Sequence, residues 1–163
     1  MMQRKPILRV SAKLLIPPIM LFALYVQFHG DFGPGGGFQA GVIFASAFIL
    51  YSLVYGVDIM RKVWPAWLSR LCLSLGVLIY GGTGVVSMFK GGQYLNYSVL
   101  AHDPVHGQHY GILIIEFGVG LTVAAAMVTI FAVFASRIRE RLDHEAASHP
   151  LGRAGKTNNE GDD

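Results

Sequence analysis

Residues 29–41 read His-Gly-Asp-Phe-Gly-Pro-Gly-Gly-Gly-Phe-Gln-Ala-Gly, a polar and glycine-rich segment between two long apolar runs. Glycine permits positive φ and close approach of another backbone, and proline fixes its own φ, so this composition predicts a turn with a defined path. A phosphate-binding loop is a second interpretation. The Lys-Ser/Thr ending of such a loop is absent, and no Gly-x-Gly-x-x-Gly pattern follows a strand. We therefore interpret residues 29–41 as a turn that leads into a helix.

The composition of the chain is that of a membrane protein. It has 163 residues, of which 53% are hydrophobic and 14% are charged, and its net charge is +3. Soluble domains average about 25% charged residues. The apolar residues lie in runs of roughly 20, the length that crosses a hydrocarbon core of about 30 Å as a helix. The sequence therefore predicts an all-α integral membrane protein.

Four apolar runs predict four transmembrane helices. They cover residues of about 7–28, 38–55, 67–89 and 110–135. Together they make one predicted membrane domain, residues 1–143. The remaining residues, 144–163, are polar and cannot bury apolar surface, so we expect a disordered tail.

Lysine and arginine set the predicted orientation. They cluster before the first run, between the second and third, and after the fourth, whereas the other two connections hold only Lys90. Positively charged connections stay on the cytoplasmic side. Both termini are therefore expected in the cytoplasm and residues 29–41 on the outer face. The same distribution explains the basic net charge without a nucleic-acid partner.

Two features of the first and second runs bear on helix geometry. Pro17 and Pro18 remove two backbone donors from the first run and predict a kink. Gly37, Gly41 and Ala45 recur at every fourth residue of the second run. This spacing predicts a strip of small residues that another helix can approach closely.

The third run contains Gly-Gly-Thr-Gly at residues 81–84. Close helix packing and a locally opened backbone that lines a pathway both explain this sequence. Cys72, the lone cysteine, lies in the same run, which excludes an intrachain disulfide and favours a buried structural thiol.

Glu116 is the most informative single residue. It lies six residues into the fourth run, flanked by apolar side chains. A charged side chain at the centre of a membrane helix costs about 2.5–3.5 kcal/mol to insert, so such a carboxylate predicts a proton or cation site. The alternative is a hydrogen-bonded or ion-paired carboxylate that holds helices together.

Lys13 is a second ionisable residue within an apolar run, in this case the first run. Its long aliphatic stem allows the ammonium group to reach the cytoplasmic surface. An ion-path role is the alternative, because the two prolines that follow release carbonyl oxygens close to it.

The outer connection before the fourth run holds three histidines, His102, His106 and His109. Their spacing fits one helix face and would allow a metal site. Asp103-Pro104 favours a turn-rich, solvated loop instead, and no cysteine joins the histidines. No Ser-His-Asp or Cys-His nucleophile arrangement can be assigned, so we do not expect an enzyme.

With this topology, residues 34–41 resemble the Pro-Gly-Gly-Gly-Phe-x-Gly-Gly signature of the MnhB/MrpB family. The residues that carry the resemblance are Pro34, Gly35, Gly36, Gly37, Phe38, Gln39 and Gly41. Ala40 replaces a glycine of the signature. Many members also have a histidine three residues before the proline, where this chain has Asp31, so any role of that histidine would fall to Asp31.

The resemblance implies a non-catalytic subunit of the Mrp-type sodium/proton antiporter, a multi-subunit complex of the prokaryotic cell membrane. It implies other antiporter subunits and the lipid bilayer as partners, sodium and protons as transported ions, and no cofactor. Glu116, Lys13 and Asp31 are candidate ion-path residues by their position alone, and the resemblance assigns none of them.

Three alternatives stay open. The chain could be purely a scaffold of such a complex, a subunit of a related membrane-bound hydrogenase-like complex, or a small dimeric transporter with four spans. Transporters of the last kind usually carry a carboxylate in the first span, and the first run of this chain has none.

Overall fold

The structure is a computed structural model that describes residues 6–30 and 35–148. Most residues in these ranges are helical, and none is in a strand. The α-helices are α1 (Pro6–Phe28), α2 (Gly37–Tyr55), α3 (Val57–Val63), α4 (Ala66–Phe89) and α5 (Pro104–Ser148), and a 3₁₀ turn, Tyr97–Val99, precedes α5. Four segments are long and apolar enough to cross a membrane, namely α1, α2, α4 and Pro104–Glu145 of α5. The prediction of an all-α protein with four membrane-crossing helices is confirmed.

The chain divides into two compact units, Met1–Thr129 and Ile130–Asp163. The described part of the first unit holds α1 to α4 and the first part of α5. The described part of the second unit, residues 130–148, is the last part of α5. Within it, Arg139 Nε lies 3.9 Å from Asp143 Oδ2, an exposed i,i+4 pair of the kind that supports a helix in water.

Small residues fill the interior of the first unit. The alanines with at most 4% of their surface exposed are Ala12, Ala23, Ala40, Ala45, Ala47, Ala124 and Ala125. Large apolar side chains such as Ile7, Leu14 and Leu78 are instead about 70% exposed or more. Lipid tails are as apolar as these side chains, so membrane helices associate through close backbone contact, which small residues permit.

α1 is one continuous helix that passes through both Pro17 and Pro18. The proline nitrogens carry no hydrogen, so they cannot donate to the carbonyls of Lys13 and Leu14. The two prolines therefore remove two backbone hydrogen bonds from the middle of α1 without ending it.

α4 is also continuous, through the Gly-Gly-Thr-Gly sequence at residues 81–84. Thr83 Oγ1 donates to the Ile79 carbonyl at 2.7 Å, which is a hydrogen bond within one helical turn. Gly84 packs against the ring of Tyr94. The backbone of residues 81–84 is therefore helical and not locally opened. The contact at Gly84 favours close packing as the explanation of this sequence.

Two glycines with positive φ bound α2. Gly36 precedes the helix with φ 153° and ψ 175°, and Gly56 follows it with φ 98° and ψ 152°. Residues with a side chain rarely adopt this region of backbone space. The Gly56 N–H still donates to the Ser52 carbonyl at 2.8 Å, as in an α-helix. Because the dihedral angles of Gly56 itself are not helical, α2 ends there and the chain enters the short α3.

α5 begins six residues before the predicted fourth span. The Asp103 carboxylate accepts a hydrogen bond from the Val105 N–H at 3.2 Å, and proline is favoured at the first position of a helix. Asp103-Pro104 therefore starts a helix here. The expectation of a turn-rich loop is wrong for residues 104–108.

α5 also extends beyond the predicted span at its other end, to Ser148. Residues 144–148, which we expected to belong to a disordered tail, are helical. The rest of that tail, residues 149–163, lies outside the described residues.

Candidate functional site

The carboxylate of Glu116 lies against the glycine-rich turn. A Cβ atom at Gly30 would be 2.7 Å from Glu116 Oε2, and one at Gly36 would be 3.1 Å from Glu116 Oε1. Both distances are shorter than ordinary van der Waals contact, so glycine at these two positions leaves the space that the carboxylate occupies. The Glu116 side chain is partly buried as a result. α5 and the turn between α1 and α2 thus build one site.

Gly37 brings the start of α2 into backbone contact with α5. A Cβ atom at Gly37 would collide with the carbonyl group of Glu116, and one at Gly41 would be 2.6 Å from the Gly120 carbonyl oxygen. Gly37 and Gly41 are one helical turn apart in α2, and Glu116 and Gly120 are one turn apart in α5. The two helices therefore lie side by side over at least a full turn. Ala45 continues the same face of α2 and is completely buried.

A different face of α5 packs against α4. A Cβ atom at Gly118 would be 2.9 Å from the Gly76 carbonyl oxygen, and one at Gly76 would be 2.6 Å from the Gly118 carbonyl oxygen. Thr122 lies one turn further along α5 and donates its hydroxyl to the Gly118 carbonyl at 2.9 Å. Glycines two residues apart on α5 therefore contact different helices, and α5 is held on two faces.

Gln27 is a residue of the site that the sequence reasoning missed. Its Oε1 atom lies 2.7 Å from the place that a Cβ of Gly120 would take, so the amide of α1 reaches the face of α5 that carries Glu116. The side chain is only 5% exposed. A glutamine inside an otherwise apolar run was the available signal, but it carries no charge and did not stand out.

A hollow of about 380 Å³ opens beside Glu116. Its lining residues are Gly35, Gly36, Gly37, Phe38, Gln39, Ile115, Glu116 and Val119. Phe38 is 64% exposed and Gln39 is exposed as well, whereas Gly37 is buried. The motif therefore has an inner side of glycines that contacts α5 and an outer side that α5 leaves uncovered.

The other predicted ion-path residues do not join Glu116 in the described part of the chain. Lys13 is exposed and lies 14 residues before Gln27 on α1, about 20 Å along the helix axis at 1.5 Å per residue. Asp31 and Pro34 lie outside the described residues.

The three histidines His102, His106 and His109 lie in the chain around the start of α5, at Pro104. The His106 Nδ1–H group donates to Asp103 Oδ2 at 2.7 Å. This hydrogen bond, together with the one from the Val105 N–H, lowers the pKa of the Asp103 carboxyl below its ordinary value. Within residues 6–30 and 35–148, no three His, Cys, Asp or Glu side chains are placed to hold a metal ion.

Cys72 lies inside α4 and is 8% exposed. A cysteine so placed behaves as a small apolar side chain in helix packing.

The chemistry available to the site is that of one carboxylate between two membrane helices. A carboxylate can hold a cation through its oxygens or take up and release a proton. Hard cations such as alkali and alkaline-earth ions prefer oxygen ligands of this kind.

Comparison with known proteins gives the family of the chain. The family described as "Domain related to MnhB subunit of Na+/H+ antiporter" matches residues 7–129. A protein of Staphylococcus haemolyticus (strain JCSC1435), named "Putative antiporter subunit mnhB2", is 35% identical over 133 residues, which are 80% of this chain and 94% of the relative. The protein of the same name from Staphylococcus aureus (strain Newman) is 33% identical over the same shares. The match places the chain among transporter subunits and not among enzymes, and it confirms the resemblance carried by residues 34–41. The chain belongs to the family of domains related to the MnhB subunit of Na+/H+ antiporters.

Proposed function

We propose that this chain is a non-catalytic subunit of a multi-subunit sodium/proton antiporter in the prokaryotic cell membrane, and that Glu116 lines the ion path. Family membership supports the first part. The second part rests on one observation, the enclosure of the Glu116 carboxylate by Gly30 and Gly36 next to the α2–α5 contact. A carboxylate within a membrane segment is costly, and in transporters such groups mark ion or proton pathways.

The proposed orientation places both termini in the cytoplasm and the glycine-rich turn on the outer side. The distribution of lysine and arginine supports it. In this orientation Glu116 lies in the outer half of the membrane, where sodium ions or protons from outside would reach it first.

Other antiporter subunits are the proposed partners. The outer side of the motif supports this assignment, because Phe38 and Gln39 are exposed directly beside the Glu116 hollow. A neighbouring subunit that covers Phe38 and Gln39 would complete the wall of the hollow with its own side chains. We expect Phe38→Ala to weaken association with the other subunits while the chain itself still folds.

The experiment that tests the ion path is Glu116→Gln in the complete complex. This substitution keeps the shape of the side chain and removes its charge. We expect normal assembly with reduced sodium-dependent proton transport in membrane vesicles and an altered pH dependence. Glu140→Gln, the same substitution on an exposed part of α5, is the matched control and should transport normally.

A purely scaffolding role is the second candidate function. The observation that favours it is the extent of glycine-mediated backbone contact between α5 and its neighbours, which alone explains the motif. An assembled Glu116→Gln complex with unchanged transport and unchanged pH dependence would establish scaffolding and remove the ion path. Purification of the tagged chain in mild detergent identifies the parent complex: antiporter subunits support the proposal, and redox subunits or a lone homodimer that transports cations contradict it.

A further inference from the structure

Gln27 is a buried polar group that packing alone does not explain. Its side chain is 5% exposed, and its Nε2 atom has no hydrogen-bond partner among the described residues. Buried polar atoms in native proteins almost always have a partner, which is either another protein group or an ordered water molecule. The amide of Gln27 therefore calls for a ligand that accepts a hydrogen bond.

The space next to this amide is large enough for such a ligand. A cavity of about 210 Å³ lies between α1, α2 and α5. It is lined by Ala23, Leu24, Gln27, Ala40, Gly41, Phe44, Trp64, Phe117, Gly120, Leu121 and Ala124. One water molecule occupies about 30 Å³ in the liquid, so several would fit. The other side chains of the lining are apolar or, like Trp64, already hydrogen-bonded elsewhere, so polar contacts are concentrated at the Gln27 end.

The position of Gln27 connects this cavity with Glu116. Gln27 Oε1 and the Gly37 carbonyl oxygen lie 2.7 and 3.0 Å from the place that a Cβ of Gly120 would take. Gly120 is one helical turn from Glu116 on α5, roughly 6 Å further from the glycine-rich turn. Polar atoms therefore continue past Glu116 on the same face of α5.

We propose that the Gln27 amide binds water in this cavity, and that this water extends the Glu116 site by about one helical turn away from the glycine-rich turn. The amide donates through Nε2 to the oxygen of a water molecule, and further water molecules in the cavity accept from that one. The extension of the site rests on the proposed function, since a path for sodium or protons needs polar groups beyond a single carboxylate. The water at Gln27 itself does not depend on transport.

Thiol labelling of the assembled complex in membrane vesicles tests the proposal. The native cysteine is removed by Cys72→Ala, and Gln27→Cys is compared with Ala23→Cys. Ala23 is the matched control, because it lies one turn away on the same face of α1, lines the same cavity and is 2% exposed. The probe is methanethiosulfonate ethylammonium, a small water-soluble reagent. We expect Gln27→Cys to react at least about tenfold faster, because the reactive thiolate forms in water and not in apolar surroundings.

Equal reaction rates at the two positions, or no reaction of Gln27→Cys, would overturn the proposal. Gln27→Met provides a second measurement that involves no cysteine. If the cavity holds no water at Gln27, removal of the unpartnered amide should raise the melting temperature of the complex. With water bound there, the melting temperature stays the same or falls, and the transport rate falls as well.

These results can be separated from a failure of the proposed function. If Glu116→Gln transports normally, the ion path is wrong, whatever the labelling shows. If Glu116→Gln is defective but Gln27→Cys does not react, the ion path stands and water at Gln27 is excluded.

Discussion

The backbones of Gly37 and Glu116 are in contact, because Gly37 has no side chain and leaves room for the Glu116 carbonyl group. The contact joins the first residue of α2 to a residue six positions into the predicted fourth span. The same α5 residue sends its carboxylate to Gly30 and Gly36. Glu116 thus meets the glycine-rich turn through both its backbone and its side chain.

Gly37→Ala should prevent normal packing of α2 on α5. The added methyl group would overlap the Glu116 carbonyl, and backbone cannot move aside as a flexible side chain can. Overpacking typically costs about 1–3 kcal/mol, and we expect a loss at the upper end of this range. The measurement is the melting temperature of the purified complex together with the yield of assembled subunit.

Gly82→Ala is the control for that substitution. A Cβ at Gly82 has no neighbouring atom within 4 Å, although it too lies in a membrane-crossing helix. Alanine is favoured over glycine in a helix by about 1 kcal/mol, so this variant should be neutral or slightly more stable. A Gly82→Ala complex as unstable as Gly37→Ala would show that the α2–α5 contact is not the cause.

Gly36→Ala tests the backbone conformation at the start of α2. A φ of 153° with ψ of 175° is strained for alanine, at a cost on the order of 1–3 kcal/mol. The new methyl group would also lie 3.1 Å from Glu116 Oε1. The single variant should therefore lower both stability and transport.

The double variant Gly36→Ala with Glu116→Ala separates the two causes. It removes the contact with the carboxylate but leaves the backbone strain. We expect it to remain less stable than Glu116→Ala alone. Equal stability of these two variants would show that contact, and not backbone strain, accounts for the effect of Gly36→Ala.

The start of α5 should depend on pH through Asp103. Hydrogen bonds from His106 and Val105 lower the pKa of this carboxyl from its ordinary 3.8, so the ionised form stabilises the folded state. The stabilisation is complete above the unfolded pKa and is lost as the pH falls through the lower pKa of the folded state. Amide hydrogen exchange at residues 105–107 should therefore become faster in strongly acidic buffer, relative to the intrinsic rate at each pH.

Asp103→Asn is the control for the pH effect. Asparagine keeps an oxygen that can accept from the Val105 N–H, so the helix start is retained. It does not titrate, so protection at residues 105–107 should no longer change between neutral and acidic buffer. Asp103→Ala should lose protection at all pH values.

Cysteine labelling with a membrane-impermeant reagent tests the orientation. In a Cys72→Ala background, Val105→Cys and His144→Cys place thiols at exposed positions in the first and the last part of α5. We expect Val105→Cys to be labelled in intact cells and His144→Cys only after the membrane is opened. The reverse pattern would contradict an outward-facing turn.

The sequence predicts the membrane-crossing helices well because their signal is local. A run of about 20 apolar residues can cross a bilayer as a helix whatever its neighbours are. The glycine-rich turn and the isolated Glu116 are also visible, since a charge or a row of glycines contrasts with an apolar background. The contact between Gly37 and Glu116 joins residues far apart in the chain, and no local pattern specifies it.

Two other features lacked a decisive local signal. Asp103-Pro104 fits both a turn and a helix start, and the helix forms, with the Gly107 N–H donating to the Asp103 carbonyl in addition to the bond from the Val105 N–H. Gln27 carries no charge and lies near the end of an apolar run, so its burial depends on Gly120 of a distant helix. At Gln27 a tertiary contact decides, whereas at Asp103 the hydrogen bond is local and the sequence allows it without requiring it.

The two glycines of α5, Gly118 and Gly120, determine how this helix can behave during transport. Gly118 fits against α4 and Gly120 against α1 and α2. A shift of α5 by one residue would drive Val119 or Leu121 into a neighbouring backbone, so only one register is sterically allowed. If Glu116 lines the ion path, as proposed, it would meet arriving ions from a helix that is fixed in its register.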